Sequence, residues 1–457
     1  MEVKDYVAGL VEKARIAQQE FEKYSQEQVD AAVRAVGKAV FDKGEELARM
    51  AIDETHMGCY EDKVLKNKGK ATATWNYLKG KKSVGVLRKD EEKGLIEIGK
   101  PMGVIGAITP VTNPVMTPMH NSMIALKAGN ALVIAPHPAG KNTGWATCEE
   151  MRKALKAVGA PVDLIQCIEP EYVTIEASGV LMSLCDVVVA TGGPGMVKAA
   201  YSSGKPSYGV GAGNMQSIVD EDVDPAVVAP KILRGRTYDN GVLCTCEQSF
   251  IAHEKVYDQL IAELEKLGAY YISKTEEVDK LRDTLLPDGA LNKKAVGLPA
   301  VMLARMAGIT VPEDAKALIV PARGAGTADP FSKEKLFPII AAFKFKDWKD
   351  GVAIAKANLE GEGKGHSSNV HSFNDEHVVY AGLELPVSRL LVNGIGSIGV
   401  GGAYSNGFVP TGTLGCGTWG NNSISENLNY THLMNITRIG YTNDKAKVPT
   451  PEEVWAE

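Results

Sequence analysis

Residues 103–114 read GVIGAITPVTNP, and this stretch decides the fold. A short, almost unbroken apolar run stops abruptly at Thr109 and Pro110. Residues 130–138, NALVIAPHP, repeat the pattern, with a helical stretch expected between them over 117–127. A second helix is expected over 143–158, followed by VDLIQCIEP at 162–170. A third is expected over 171–182, followed by CDVVVATGG at 185–193. Short apolar strands that alternate with helices are buried on both faces, which is the pattern of a parallel, doubly wound α/β sheet. In such sheets a ligand lies beyond the C-terminal ends of the strands. Those ends are residues 109–113, 135–141, 169–170 and 191–195.

Outward from this block the texture changes. Residues 3–78 carry apolar residues at helical spacing (Tyr6, Leu10, Ala14, Ala17, Phe21) and predict a helical layer over the sheet. Residues 82–103 alternate and predict a β-hairpin turning at 89–93. A second α/β series is expected from 220 to 410, with strands near SFIAH (249–253), IVPAR (319–323), PIIAAFKF (338–345), SNVHSF (368–373) and RLLVN (389–393). The last segment suits an extended arm that packs on a partner. The expected division is a lobe over 1–219, a second lobe over 220–410, and a return segment with an arm over 411–457. The implied architecture is two interlocked lobes with a cleft between them.

The chain has 457 residues, enough for two or three domains without disulfides or a structural metal. Its net charge of −6 disfavours nucleic-acid binding, which needs a basic face. No apolar run approaches the roughly 20 residues that span a bilayer, and the amphipathic N-terminus is unlike a secretory signal. Seven cysteines are scattered without a CxxC pair, which points to a reducing cytoplasm and away from zinc. Glycine is in excess, 47 residues against a background of about 7%, and clusters at 191–213 and 361–420.

Four segments could carry chemistry. DNGVLCTCEQSF (239–250) holds Cys244 and Cys246 among polar neighbours; either a nucleophile or a buried structural cysteine fits. Asn113, at the end of a buried strand, could donate to an oxyanion or simply form a turn beside proline. In ATGGPGMVKAA (190–200), Thr191, Gly192 and Gly193 stand between a strand and a helix, where backbone N–H groups suit a pyrophosphate or a nicotinamide. In GEGKGHSSNVH (361–371), His366 is flanked by small residues on an expected loop and is a candidate acid/base. The histidine spacing does not suit a metal site.

Taken in order, TPVTNPVMTPMHNSMIALKAGNALVIAPHP (109–138), VVVATGGPGMVKAAYSSGKPSYGVGAGN (187–214), DNGVLCTCEQS, EGKGHSSNVHS and TLGCGTWGNNSISENL (413–428) resemble the coenzyme-A-acylating branch of the aldehyde dehydrogenase superfamily. The resemblance is nearest to acylating succinate semialdehyde and sulfoacetaldehyde dehydrogenases and to the aldehyde half of bifunctional aldehyde-alcohol dehydrogenases. It implies two Rossmann-like lobes with an oligomerisation hairpin and arm, and a homodimer or dimer of dimers. It also implies NAD or NADP as cofactor and coenzyme A as co-substrate. Residue by residue, it makes Cys244 the nucleophile, Asn113 the oxyanion donor and His366 the branch histidine. It puts the cofactor against Thr109, Pro110, His137, Pro138, Gly140, Thr191, Gly192, Gly193 and Gly211, with Glu334 on the nicotinamide ribose.

Two departures from the hydrolytic relatives matter. Their general-base Glu precedes a paired-glycine stretch, but YGVGAGN (208–214) holds no carboxylate. Water needs such a base more than a thiol does, so thiolysis by coenzyme A is favoured over hydrolysis. Their adenosine-side Lys and Glu are here His137 and Gly140, so a 2′-phosphate is not repelled and Lys141 could attract it. The implied reaction is ping-pong, through a thioacyl enzyme on Cys244. A hydrolytic enzyme, an acyl-phosphate reductase and a non-catalytic protein on the same fold are the rivals.

VNGIGSIGVGGAYSNGF (392–408) suggests the substrate. Successive N–H groups with small side chains form an anion-binding concavity. Gly396 and Ser397 would line it, with Thr245 adding a hydroxyl. A short aldehyde with an anionic tail is expected, with sulfoacetaldehyde ahead of succinic semialdehyde, and acetaldehyde or propanal as the uncharged alternatives.

Overall fold

The computed structural model describes residues 2–444 and 446–456. Residues 1, 445 and 457, at the margins of the first expected lobe and within the expected arm, lie outside the described residues. Four helices, Val3–Phe21, Gln26–Asp42, Gly44–Thr55 and Tyr60–Leu78, form the N-terminal layer. Ser25 caps the second of them, and Gln28 closes a capping box.

Among the described residues fifteen strands follow in chain order. β1 (Gly85–Asp90) and β2 (Leu95–Pro101) form the hairpin. β3 (Val104–Ile108), β4 (Ala131–Ala135), β5 (Ile165–Cys167), β6 (Val187–Thr191) and β7 (Ser207–Val210) make a parallel sheet in the order β5-β4-β3-β6-β7. The chain leaves β3 to build outward on both sides, so β3 is the switch point, and residues 109–113 leave its C-terminal end. β8 (Met215–Val219), β9 (Glu247–His253), β10 (Ala269–Tyr271), β11 (Ala317–Pro321), β12 (Ile339–Phe345), β13 (Gly365–His371) and β14 (Val387–Val392) make a second parallel sheet, ordered β10-β11-β12-β9-β8-β13-β14.

The second sheet is covered on both faces. Along β12, Ile339, Ala341 and Phe343 pack into one core, and Ile340 and Ala342 into the other. This explains why its strands read as continuous apolar runs.

Two expectations need correction. The lobe boundary at 219 falls too late, because β8 pairs with β9 and β13 in the second sheet. The chain changes sheets within residues 211–214, between β7 and β8. The C-terminal arm is also not wholly free for a partner: β15 (Met434–Gly440) pairs antiparallel with β2 of its own chain, giving a three-stranded sheet β1-β2-β15.

Candidate active site

The ends of the first sheet and the loop before β9 face one cavity of about 830 Å³. Its wall holds Cys244, Asn113 and Glu334 together. Cys244 lies at the end of a strained segment: Asp239 and Asn240 both adopt left-handed backbone, with φ of 50°. Such conformations cost about 1–3 kcal/mol each and persist only where the surroundings enforce them. Here Asp62 accepts the Asp239 N–H at 2.8 Å, and Asn240 donates to the Gly58 and Gly297 carbonyls at 3.0 Å. Burial pushes the Cys244 thiol well up, and neighbouring Glu334 adds to the effect. Cys246, two residues on, is fully buried among Tyr238, Val242 and Leu243. Burial raises its thiol to about 12, and its Sγ faces the Tyr238 carbonyl.

Asn113 is held from behind. Lys66 Nζ donates to its Oδ1 at 2.6 Å and to Asp239 Oδ2 at 2.7 Å. Lys63 Nζ joins the same Asp239 oxygen at 3.0 Å. Burial alone would raise the Asp239 carboxyl, but Lys66 and Lys63 together bring it below the usual range. Burial lowers Lys63 to about 8, with Lys66 contributing.

Glu334 Oε1 accepts the Gly213 N–H at 3.0 Å, and burial raises this carboxyl to about 8. Lys70 also lines the cavity and donates to the Gly401 carbonyl at 2.9 Å. Burial lowers it to about 8, and among the described residues no carboxylate pairs with it. The wall's other full cations are committed: Lys66 to Asp239, and Arg234 to Asp62.

Of the residues singled out from sequence, Thr109, Pro110, Asn113, His137, Pro138, Thr191, Gly192, Gly193, Gly211, Cys244, Thr245, Glu334 and Ser397 all line the cavity. Three do not. His366 is not on a loop but within β13, fully buried, with Nδ1 paired to Ser367 Oγ at 2.7 Å. Burial and the nearby Arg389 lower it to about 3, which keeps the ring neutral. Gly140 packs behind the wall, where an added Cβ would stand 3.3 Å from Pro114. Gly396 is occupied: its N–H donates to Glu247 Oε1 at 2.6 Å.

That last contact corrects the expected anion-binding loop. Glu247 comes from β9, and its second oxygen, Oε2, is buried without a hydrogen-bond partner among the described residues. The N–H groups of Ile398, Gly399, Val400 and Gly402 turn back onto local carbonyls. The protein's own carboxylate takes the Gly396 N–H, while Ser397, Ile398, Gly401 and Gly402 still line the cavity. Ser397 Oγ is buried without a partner, while Thr245 Oγ1 is committed to the Ser397 carbonyl at 3.2 Å.

Sequence reasoning missed Lys66 and Lys70. The signal was present: Lys63, Lys66 and Lys70 recur at spacings of three and four, one face of the helix Tyr60–Leu78, and Asp62 flanks them. Asp62, Lys63 and Lys66 lie on this helix's buried face, and charges held there mark a site rather than a solvated face.

The aldehyde dehydrogenase family model matches residues 3–274. A succinate-semialdehyde dehydrogenase (acetylating) from Clostridium kluyveri is 50% identical over 449 residues, 98% of each chain. A sulfoacetaldehyde dehydrogenase from an Acholeplasma species is 39% identical over 459 residues, covering 99% of this chain and 94% of that protein. The crystal structure of an acetylating aldehyde dehydrogenase from Geobacillus thermoglucosidasius superposes with a TM-score of 0.93 at 37% identity, covering 98% of both chains. The chain belongs to the aldehyde dehydrogenase family. Within it, the chain is an acylating aldehyde dehydrogenase that uses NAD(P) and coenzyme A.

Proposed function

We propose that Cys244 is the acylated nucleophile and that the substrate is a short aldehyde with an anionic tail. What supports the first reading is the meeting of Cys244 and Asn113, from two different lobes, on one cavity wall. The thiol gives up its proton to solvent in the cavity as Sγ bonds to the aldehyde carbon. The new oxyanion is received by the Cys244 backbone N–H and Asn113 Nδ2. Each such donor lowers the barrier by roughly 2.7–4 kcal/mol. A bound nicotinamide supplies the hydride acceptor. Cys244 then carries a thioester, which the coenzyme A thiol attacks, releasing acyl-CoA and the free cysteine; every step is reversible.

The residues at the cofactor end fit a nicotinamide dinucleotide. An added Cβ at Gly193, Gly195 or Gly211 would meet no atom within 4 Å, so the turn after β6 faces open space. Among the described residues Glu334 is the wall's lone carboxyl, and the Glu54 carboxylate just beyond His137 and Pro138 is engaged by the Asn142 and Thr143 N–H groups at 2.8 Å. NAD and NADP are both admitted. No base is placed for water along residues 208–214, so the thioester awaits a thiol.

Lys70 supports the anionic tail. An ammonium has three donors, and among the described residues Lys70 spends one, on Gly401. A half-buried cation without a carboxylate favours an anionic ligand. With the Gly396 N–H taken by Glu247, the loop gives less ground for preferring a sulfonate. Succinic semialdehyde now stands ahead of sulfoacetaldehyde, supported by the 50% and 39% identities of the two relatives. The test is Lys70→Met against a panel of succinic semialdehyde, sulfoacetaldehyde and propanal. A fall of about 100-fold in kcat/KM for the anions, with propanal unchanged, fits the loss of a charge-assisted contact worth about 1.5–3 kcal/mol. Equal kcat/KM for propanal and both anions in the wild type would remove the anionic reading.

A homodimer or dimer of dimers is supported by the sheet β1-β2-β15, which leaves Val86, Ile439 and Tyr441 exposed. The seven cysteines are all free, which supports a reducing cytoplasm.

A further inference from the structure

We propose that Lys66, anchored by Asp239, is the positioning residue of the oxyanion site, locking the Asn113 amide so that Nδ2–H, not Oδ1, faces the aldehyde oxygen. The inference rests on the reading of Asn113 as oxyanion donor.

An asparagine amide has two faces of nearly equal shape. One presents donors and the other an acceptor, and flipping it would turn a lone pair toward the developing negative charge. An ammonium offers donors only. Lys66 Nζ stands 2.6 Å from Asn113 Oδ1, so the flipped orientation would set NH2 against NH3+. The lysine cannot easily move away. Its remaining donors go to Asp239 Oδ2 at 2.7 Å and the Thr112 carbonyl at 3.3 Å, and it is buried. Asp239 is fixed in turn by Lys63 at 3.0 Å and by the Cys59 N–H at 2.8 Å.

The charge does more than orient. A charge-assisted bond to the amide oxygen withdraws electron density from the nitrogen and strengthens Nδ2–H as a donor. Asp239 also opens the left-handed segment that leads to Cys244. The carboxylate that holds the lysine therefore sits at the base of the nucleophile's own loop, so donor and nucleophile share one anchor across the lobes.

The experiment compares Lys66→Met and Lys66→Gln, alone and with Asn113→Ala, in single-turnover NAD(P)H formation without coenzyme A. Both replacements leave Asp239 paired with Lys63 and Cys59. Asn113→Ala is expected to slow the step by about 10²–10³-fold. Lys66→Met, which has no donor, should slow it by about 30-fold or more, with KM for aldehyde and cofactor within about threefold. Lys66→Gln, which can still donate to Oδ1, should recover most of the loss. The double variant Lys66→Met/Asn113→Ala should be no slower than Asn113→Ala, because the lysine acts through the amide. Alkylation of Cys244 by iodoacetamide, which develops no oxyanion, should proceed at the wild-type rate in Lys66→Met. Multiplying losses in the double variant, equal rates for Met and Gln, or slowed alkylation would overturn the role given to Lys66. Near-wild-type turnover in Lys66→Met beside a slow Asn113→Ala would overturn it while leaving the oxyanion donor in place. A wild-type rate in Asn113→Ala would remove the oxyanion reading and this inference together.

Discussion

Two glycine-rich segments border the cavity and behave in opposite ways. At residues 191–195 the turn after β6 is open, and Gly193 and Gly195 face empty space. At residues 394–402 much of the backbone is committed: the Gly396 N–H goes to Glu247, and those of Ile398, Gly399, Val400 and Gly402 to local carbonyls. Composition reads the same in both. What separates them is a carboxylate 149 positions away in sequence, brought in by β9. A glycine run offers a ligand its N–H groups only if the protein has not already answered them.

The sharpest contrast is steric. An added Cβ at Gly396 would overlap Met215 Sδ and stand 2.9 Å from Glu247 Oε1. Met215 is fully buried, so Gly396→Ala should destabilise the protein by about 1–3 kcal/mol or more. Urea unfolding checks this, and an unchanged midpoint would mean the loop is not clamped.

Glu247 supplies a pH-dependent contrast. Burial raises it from 4.5 to about 7, against the backbone bond from Gly396. The unfolded chain sheds this proton near its ordinary pKa, while the folded chain keeps it until about 7. Between those values the folded state binds more protons, so stability falls as pH rises through this window. The full cost above the window is about 3 kcal/mol. Glu334, raised to about 8, slopes the same way. Glu247→Gln should therefore gain on the wild type steadily from pH 5 to pH 7.5 in unfolding free energy. A parallel pair of pH curves would show that Glu247 is ionised alike in both states.

The open turn should respond in function rather than fold. Gly193 has φ of −66°, which alanine adopts freely. Gly193→Ala should keep the wild-type melting temperature and raise KM for NAD(P) by about tenfold, or 1.4 kcal/mol. A lowered melting temperature with unchanged KM would reverse the comparison. The smallest effect belongs to Ser397→Ala. Its buried, unpartnered hydroxyl lines the cavity, and its loss should cost the substrate about 0.5–1.5 kcal/mol in kcat/KM.

The first sheet was legible because its strands are buried on both faces and read as continuous apolar runs between Gly and Pro breaks. β8 was hidden: its five residues follow directly on GVGAGN, so the glycines drew the reading and the change of sheet passed unseen. Cys244, Asn113 and Glu334 were legible as motif positions. Of their supports, the lysine stripe on one helix face was visible but its partner was not, because Lys66 and Asp239 are 173 residues apart and spacing carries no sign of such a pair. His366 misled for a local reason: glycines around it suggested a loop, yet Gly365 takes φ of 87° at the start of β13, and the histidine enters the core.

The central claim is that the aldehyde is carried as a thioester on Cys244 until a thiol arrives. The direct measurement is intact-protein mass spectrometry after mixing enzyme, succinic semialdehyde and NAD(P)+ without coenzyme A, followed by peptide mapping. The account predicts one succinyl adduct per chain on Cys244, discharged when coenzyme A is added and absent in Cys244→Ala. An adduct on Cys246, or free succinate released at full rate without coenzyme A, would contradict it.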